Sequence, residues 1–337
     1  MDFSDREKRK ASFRERGIFP IRVPIPLIID HINVYFIDGP TPVLIDSGFF
    51  GDNCFSALAR GLSACGRDVT DIGLVLLTHG HRDHSGLARK IREASGARVL
   101  LNRRDLPILA PDSFSHYFVR VLDYYLDMGV PPERVEDVRT RSAAERSRYR
   151  AEIGRDDSIL VDGGLVAGDR FETGAGVLSV IETPGHTMGS VSYYLEEDGL
   201  LFSGDLISVR YDPLPLPLVE KDGDGWLDTY DKYLVSLELL SSLDPAIVLP
   251  GHGGPISQGK RLVRRACDAQ ERVRTKIQES IRTDGDQTIA GLAARIYPNA
   301  FGPALTHSLN VVRGIAGRLA REGEVRIDGG RIVQEAK

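Results

Sequence analysis

The chain has 337 residues, 42% hydrophobic and 27% charged, with 43 Lys and Arg against 48 Asp and Glu for a formal net charge of -5. That length buries a large core and favours two domains over one, and the acidic balance excludes a general nucleic-acid-coating protein. Cys54, Cys65 and Cys267 form no close-spaced pair, the first ten residues carry charges of both signs without an apolar h-region, and no apolar run reaches membrane-span length, so a cytoplasmic protein with no secretory signal, disulfide framework or membrane segment is expected.

Taken in chain order, residues 21–27, 32–37 and 43–45 read as short apolar strands, the last running into Asp46-Ser47-Gly48. A helix is predicted from about 51 to 66. The apolar run 72–77 is a buried strand that feeds Thr78-His79-Gly80-His81-Arg82-Asp83-His84 and then the helix-like stretch 85–91. A loop at a strand end therefore presents four potential ligands. His79 and His81 alternate and can face one metal while Asp83 and His84 turn to a second. Imidazole and carboxylate donors of this kind suit zinc, with iron or manganese as alternatives.

Residues 98–101 read as another strand, and 102–156 as a helical insertion in which Tyr117, Phe118, Val121, Leu122, Tyr125 and Leu126 recur with helical spacing before Gly129 and Pro131. Strands resume near 158. Three apolar runs then end alike, each in glycine or proline followed by one ligand-type side chain: His186 after Pro184-Gly185, Asp205 after Gly204, and His252 after Pro250-Gly251. Alone, each would pass for a solvated loop residue. Their common placement argues for strand ends converging on one site. The proline-rich loop 211–218 cannot form an internal strand, and 226–243 is predicted to be an amphipathic helix. The insertion and this loop leave the core near ligand-bearing strand ends. They are expected either to form a lid over an acyl or other apolar group or, for the insertion, to pack plainly onto the core. Tyr193, Tyr194, Arg210 and Tyr211 are candidate substrate contacts.

Beyond Pro255 the stretches 257–283, 288–297 and 304–322 read as helices, and 325–327 and 331–333 flank Asp328-Gly329-Gly330 as a short hairpin. Helix–helix–helix–hairpin is a winged-helix pattern. From Lys260 onward 15 basic residues face 9 acidic ones. That excess permits nucleic-acid contact, but it is diffuse and carries no aromatic stacking motif, so a role in the substrate cleft or in a homodimer contact is favoured.

Together these motifs resemble the metallo-β-lactamase superfamily, in its branch of glyoxalase II-like hydrolases and lactamase-like endoribonucleases with a C-terminal winged helix. The match runs from about residue 21 to 256 and includes five motifs: Asp46 in Val43-Leu44-Ile45-Asp46-Ser47-Gly48, the His79–His84 run, His186, Asp205 and His252. The resemblance implies an α/β fold, an αββα sandwich over 17–256 with its insertion at about 102–156, and a winged-helix domain over 257–337. It implies two divalent metals per chain, one on His79, His81 and His186 and one on Asp83, His84 and His252. Asp205 would bridge them, Asp83 and Asp205 would be the catalytic carboxylates, and Asp46 would orient the site without ligating. Imidazoles bound to metal need their other N–H held by an acceptor, which suits Asp46.

A metal-bridging hydroxide acting on a small thioester, ester or lactone is the expected chemistry. The glutathione-binding helices of glyoxalase II are replaced here by the winged helix, which puts glutathione specificity in doubt. A single-strand endoribonuclease is the second expectation and an iron-dependent sulfur dioxygenase the third. The diiron reductase branch has Glu where this chain has His81, and carries a flavodoxin domain with no counterpart here.

Overall fold

Strand β1 (Ile18–Pro24) alternates buried and exposed residues, the pattern of an edge strand covered on one face. The computed structural model describes residues 13–25, 31–110, 113–153, 159–207, 221–222, 225–226, 229–300 and 303–334. Strand β2 (His31–Ile37) pairs antiparallel with β1 in the register Ile18↔Ile37 and is buried along nearly its whole length. Next come β3 (Val43–Ile45), helix α1 (Asp52–Ser63), β4 (Leu74–Leu76), α2 (Arg82–Ser85), α3 (Ala88–Ser95) and β5 (Arg98–Leu101). Strands β3, β4 and β5 are mutually parallel, and their uninterrupted apolar runs follow from burial on both faces. Helix α4 (Leu106–Leu109) opens the insertion, followed by α5 (Ser113–Asp127) and α6 (Pro132–Ile153). Strand β6 (Gly163–Gly164) closes a six-stranded sheet in the order β1 to β6.

A second sheet holds β7 (Arg170–Thr173), β8 (Gly176–Glu182), β9 (Val191–Leu195) and β10 (Leu200–Gly204). The short ladder β11 (Lys221–Asp222) with β12 (Gly225–Trp226) precedes α7 (Tyr230–Leu243) and β13 (Ile247–Pro250), which pairs parallel with β10 at the sheet edge. The two sheets face each other. Ile37, Val43, Ile45 and Leu76 of the first meet Leu178, Val180, Tyr193, Phe202 and Leu249 of the second. On the outer side of the first sheet, Leu58 and Leu62 of α1 and Ile91 of α3 cover Val34, Val75 and Val99. On the outer side of the second, Leu237 and Leu240 of α7 cover Leu201 and Val248 together with α8 (Gly259–Asp284). The arrangement is the expected αββα sandwich.

The C-terminal segment continues with β14 (Gln287–Thr288), α9 (Ile289–Ile296), α10 (Pro303–Arg321), β15 (Val325–Asp328) and β16 (Arg331–Gln334), its strands forming a sheet in the order β14-β16-β15. The sequence order helix–helix–helix–hairpin is present, with β14 added.

Two expectations change. The stripe Val121, Leu122, Tyr125 of α5 is buried chiefly against the C-terminal segment rather than against the two sheets. It joins Val135 of α6 in one core with Ile277 of α8, Leu292 of α9, Leu309 and Val312 of α10, and Ile332 of β16. An amphipathic helix must bury its stripe, and the apolar surface supplied for α5 is C-terminal. Trp226 does not begin a helix. It pairs with Lys221, its ring meets Tyr124 edge-on at 5.0 Å, and its Nε1 donates to Asp127 at 2.9 Å. The proline-rich loop 211–218 lies outside the described residues. Among the described residues no helix is long and apolar enough to cross a membrane.

Candidate metal centre

Strands β4, β8, β10 and β13 all end at one edge of the sandwich, and each is followed by ligand-type residues. After β4, Leu77 and Thr78 lead to His79, Gly80 and His81, and His81 stands at the N-terminus of α2, which carries Asp83 and His84. After β8 the chain reaches His186, after β10 Asp205, and after β13 His252. The glycines before the last two ligands are required by crowding. A Cβ on Gly204, which adopts φ +50, would lie 2.6 Å from Thr78 Oγ1. One on Gly251 would lie 2.6 Å from Asp205 Oδ1.

The donors form two groups. His79 Nε2 and His186 Nε2 lie 3.0 and 2.9 Å from His81 Nδ1. Asp83 Oδ2 lies 3.2 Å from His252 Nε2 and 4.0 Å from His84 Nε2. Asp205 stands between them: its Oδ1 is 3.3 Å from His84 Nε2, and its Oδ2 is 3.5 Å from both His186 Nε2 and His252 Nε2. The ligand atoms of each triad, His79 with His81 and His186 and Asp83 with His84 and His252, lie within 4.8 Å of one another.

Behind the donors lies a layer of acceptors. His84 Nδ1 donates to Asp46 Oδ2 at 2.8 Å, and His252 Nδ1 donates to the His31 carbonyl at 2.9 Å, so both rings turn Nε2 inward. The other oxygen of Asp46, Oδ1, accepts from Thr78 N at 2.8 Å. The His252 loop is fixed from β2, where Asn33 Nδ2 donates to the carbonyls of Pro250 and Gly253 and Tyr35 Oη to that of Pro250.

The electrostatics of the two groups differ. Burial, then the charges of His84, His186 and His81, hold His79 well below the usual histidine range, and burial with His81 pushes His186 down to about 3. Burial also opposes charging of His84 and His252. The carboxylates of Asp205, Asp46 and Asp83 overcome it at His84, and those of Asp205 and Asp83 raise His252 to about 9. Burial would raise the carboxyl of Asp205, but His252 and His84 hold it well below the usual carboxylate range.

These residues fit divalent cations. Burial disfavours the charged form of all three imidazoles in the first group, and neutral imidazole is the ligating form. In the other group, the positive charge that the carboxylates draw onto His84 and His252 is charge that a cation would supply in the protons' place. His84 Nε2 and Asp205 Oδ1 are buried and form no well-aligned hydrogen bond, a costly state for buried polar atoms without a further partner.

The candidate substrate contacts fare differently. Tyr193 is fully buried between the sheets, and its hydroxyl donates to the Leu77 carbonyl at 2.8 Å. It is a core residue that presents no surface to substrate, because strand alternation turns it inward. Tyr194 points the other way and packs against the cluster of Leu201, Leu237 and Val248. Arg210 and Tyr211 lie outside the described residues. Sequence reasoning missed Asn33, Tyr35 and Asp105. The first two carried a signal, polar groups at alternate positions of an otherwise apolar strand; Asp105 carried none.

The chain matches the family described as the Metallo-beta-lactamase superfamily over residues 28–252. It is 28% identical to the Bacillus subtilis protein "Probable metallo-hydrolase YqjP" over 299 residues, 88% of this chain and 90% of that protein. The structure resembles the metallo-beta-lactamase family protein TTHA1429 of Thermus thermophilus, with a TM-score of 0.74 at 25% identity over 95% of this chain and 99% of the other. A more partial relative is the atrochrysone carboxyl ACP thioesterase of Aspergillus fumigatus, 26% identical over 145 residues, 41% of this chain and 42% of that enzyme.

Proposed function

The chain belongs to the metallo-β-lactamase superfamily, and on that premise we propose that it is a two-cation hydrolase of a small thioester, ester or lactone. One observation carries the reading: seven donors from four strand ends converge, with the Asp205 carboxylate between two ligand groups. His79, His81 and His186 would hold one divalent cation, zinc by donor type, and Asp83, His84 and His252 the other, with Asp205 shared. When bound, two such cations supply a water acidified toward neutral pH and a Lewis acid for the scissile carbonyl.

The chain's own residues prepare that chemistry. Asp46 and the His31 carbonyl hold the Nδ1 protons of His84 and His252 and so fix which nitrogen faces the site. Asp83 and Asp205 contribute two anionic side chains that offset the charge of the cations. The start of the insertion closes against the ligand loop, with Arg82 donating to the carbonyls of Leu109 and Ala110 and Ile108 beside Gly80. Such closure limits water around a reacting acyl group.

Two features favour a small carbonyl substrate over RNA. In a winged helix the third helix and the hairpin tip are the surfaces that meet nucleic acid. Here residues 305–312 of the corresponding helix, α10, are buried, with Thr306 bonded to Tyr125 of α5. The hairpin tip is pressed onto α5, so that a Cβ on Gly330 would lie 1.9 Å from the Asp127 carbonyl oxygen. The partial similarity to an ACP thioesterase supports the thioester class.

Turnover of acyl-thioester, lactone, β-lactam and single-stranded RNA substrates, before and after chelation, tests the reading. Thioester hydrolysis lost on chelation and restored by metal is expected. RNA cleavage without thioester turnover, or turnover indifferent to chelation, overturns it.

A further inference from the structure

Asp105 lies in the turn that follows β5, outside every ligand motif, yet its side chain joins the two loops that supply His79, His81 and His186. It is 1% exposed. Its Oδ2 accepts from Gly80 N at 2.8 Å, in the loop between His79 and His81, and from Thr187 Oγ1 at 2.6 Å, directly after His186. Its Oδ1 accepts from Gly189 N at 2.7 Å. A carboxylate only accepts, so Thr187 must give its hydroxyl proton to Asp105, and the 2.7 Å contact between Thr187 Oγ1 and Ser190 Oγ is then donated by Ser190. Thr187 N returns a bond to Ser190 Oγ at 3.0 Å, which closes the network.

The neighbours are cut to fit this group. A Cβ on Gly189 would lie 2.5 Å from Asp105 Oδ1, and one on Gly80 would lie 3.1 Å from the Asp105 carbonyl oxygen. Asn102 orders the turn from its start by accepting from Arg104 N at 3.1 Å. The loop of His79 and His81 leaves the first sheet and that of His186 the second. Relative motion of the two sheet edges would therefore pull the three nitrogens apart. The second group has anchors of its own: Asp46 holds His84, the His31 carbonyl holds His252, and Asn33 and Tyr35 of β2 hold the His252 loop.

We propose that Asp105 is a positioning residue that fixes the spacing of the His79, His81 and His186 nitrogens and so sets the affinity of that triad for its cation. The proposal rests on the metal-centre reading above. It assigns Asp105 no contact with substrate.

The test is titration of metal-free full-length protein with Zn(II) by calorimetry, paired with Co(II) absorption spectra of each variant. The wild-type chain is expected to bind two cations. Asp105→Ala should weaken one of them by roughly the 10–100-fold typical when the partner of a ligand is lost. The cation it retains should give the Co(II) spectrum of His186→Ala protein rather than that of His252→Ala. Thr187→Val, which leaves the carboxylate in place, should lose part of the same affinity, and Thr187→Ser, which keeps the hydroxyl, should restore it. This pair also serves if Asp105→Ala does not fold. Two cations bound at wild-type affinity in both Asp105→Ala and Thr187→Val, or equal weakening of both cations, overturns the proposal while leaving the metal centre standing. A wild-type chain that binds no cation overturns both.

Discussion

His84 Nδ1 and Asp46 Oδ2 lie 2.8 Å apart, with side chains 0% and 2% exposed. Asp46 occupies the left-handed region, φ 59, at the end of β3, and its other oxygen anchors the start of the ligand loop through Thr78 N. One carboxylate thus fixes both a ring and the loop that carries it.

Removing that carboxylate should weaken the cation of Asp83, His84 and His252 by about 10–100-fold, and that of His79, His81 and His186 less, through Thr78. Asp46→Asn, which tolerates the same backbone region, should lose less than Asp46→Ala. Competition with a chelating dye measures both constants, and equal affinities in Asp46→Ala and wild type would show that the contact does not support His84.

Asp205→Asn keeps the size of the side chain and removes the charge between the two groups. Activity should fall by at least the roughly 10–100-fold typical of more remote changes around a metal, and metal content should drop below that of wild type. Near-normal turnover with both cations retained would show that Asp205 is not shared.

The convergence of the candidate ligands was legible in the sequence because each follows an apolar strand within a few residues, and the local punctuation of glycine and proline marks the strand end. What the sequence hid is non-local. Asp105 stands in Arg103-Arg104-Asp105, a charged run at the start of the expected helical insertion, and its burial is decided by donors at Gly80, Thr187 and Gly189. Tyr193, a candidate substrate contact by sequence, is turned inward by sheet packing, which sends its hydroxyl to Leu77. The apolar stripe of α5 was plain, but periodicity says which face is buried and not against what. Most of its partners come from the C-terminal segment, α8 to β16.

That shared core makes the insertion and the C-terminal segment one stability unit. Leu309→Ala, fully buried among residues of α5, α8 and α9, should destabilise the protein by about 2–5 kcal/mol in denaturant unfolding. A chain cut after residue 256 should aggregate or lose helix content, since the face of α5 would be exposed. A soluble, cooperatively folding truncation would contradict the shared core.

RNA binding by the full chain should be weak and should fall little with salt, since few phosphates are neutralised. Reversing the exposed Arg264 and Arg265 to Glu should leave it unchanged. Tight, salt-sensitive binding with metal-dependent cleavage of single-stranded RNA, abolished by the reversal, would make the ribonuclease the better reading.

Elemental analysis of the purified chain and its ligand variants is the most direct test of the metal centre. Close to two divalent cations per wild-type chain are expected, with His79→Ala or His186→Ala losing one and His84→Ala or His252→Ala losing the other. A wild-type chain without bound metal, or metal content unchanged by all four substitutions, would contradict it.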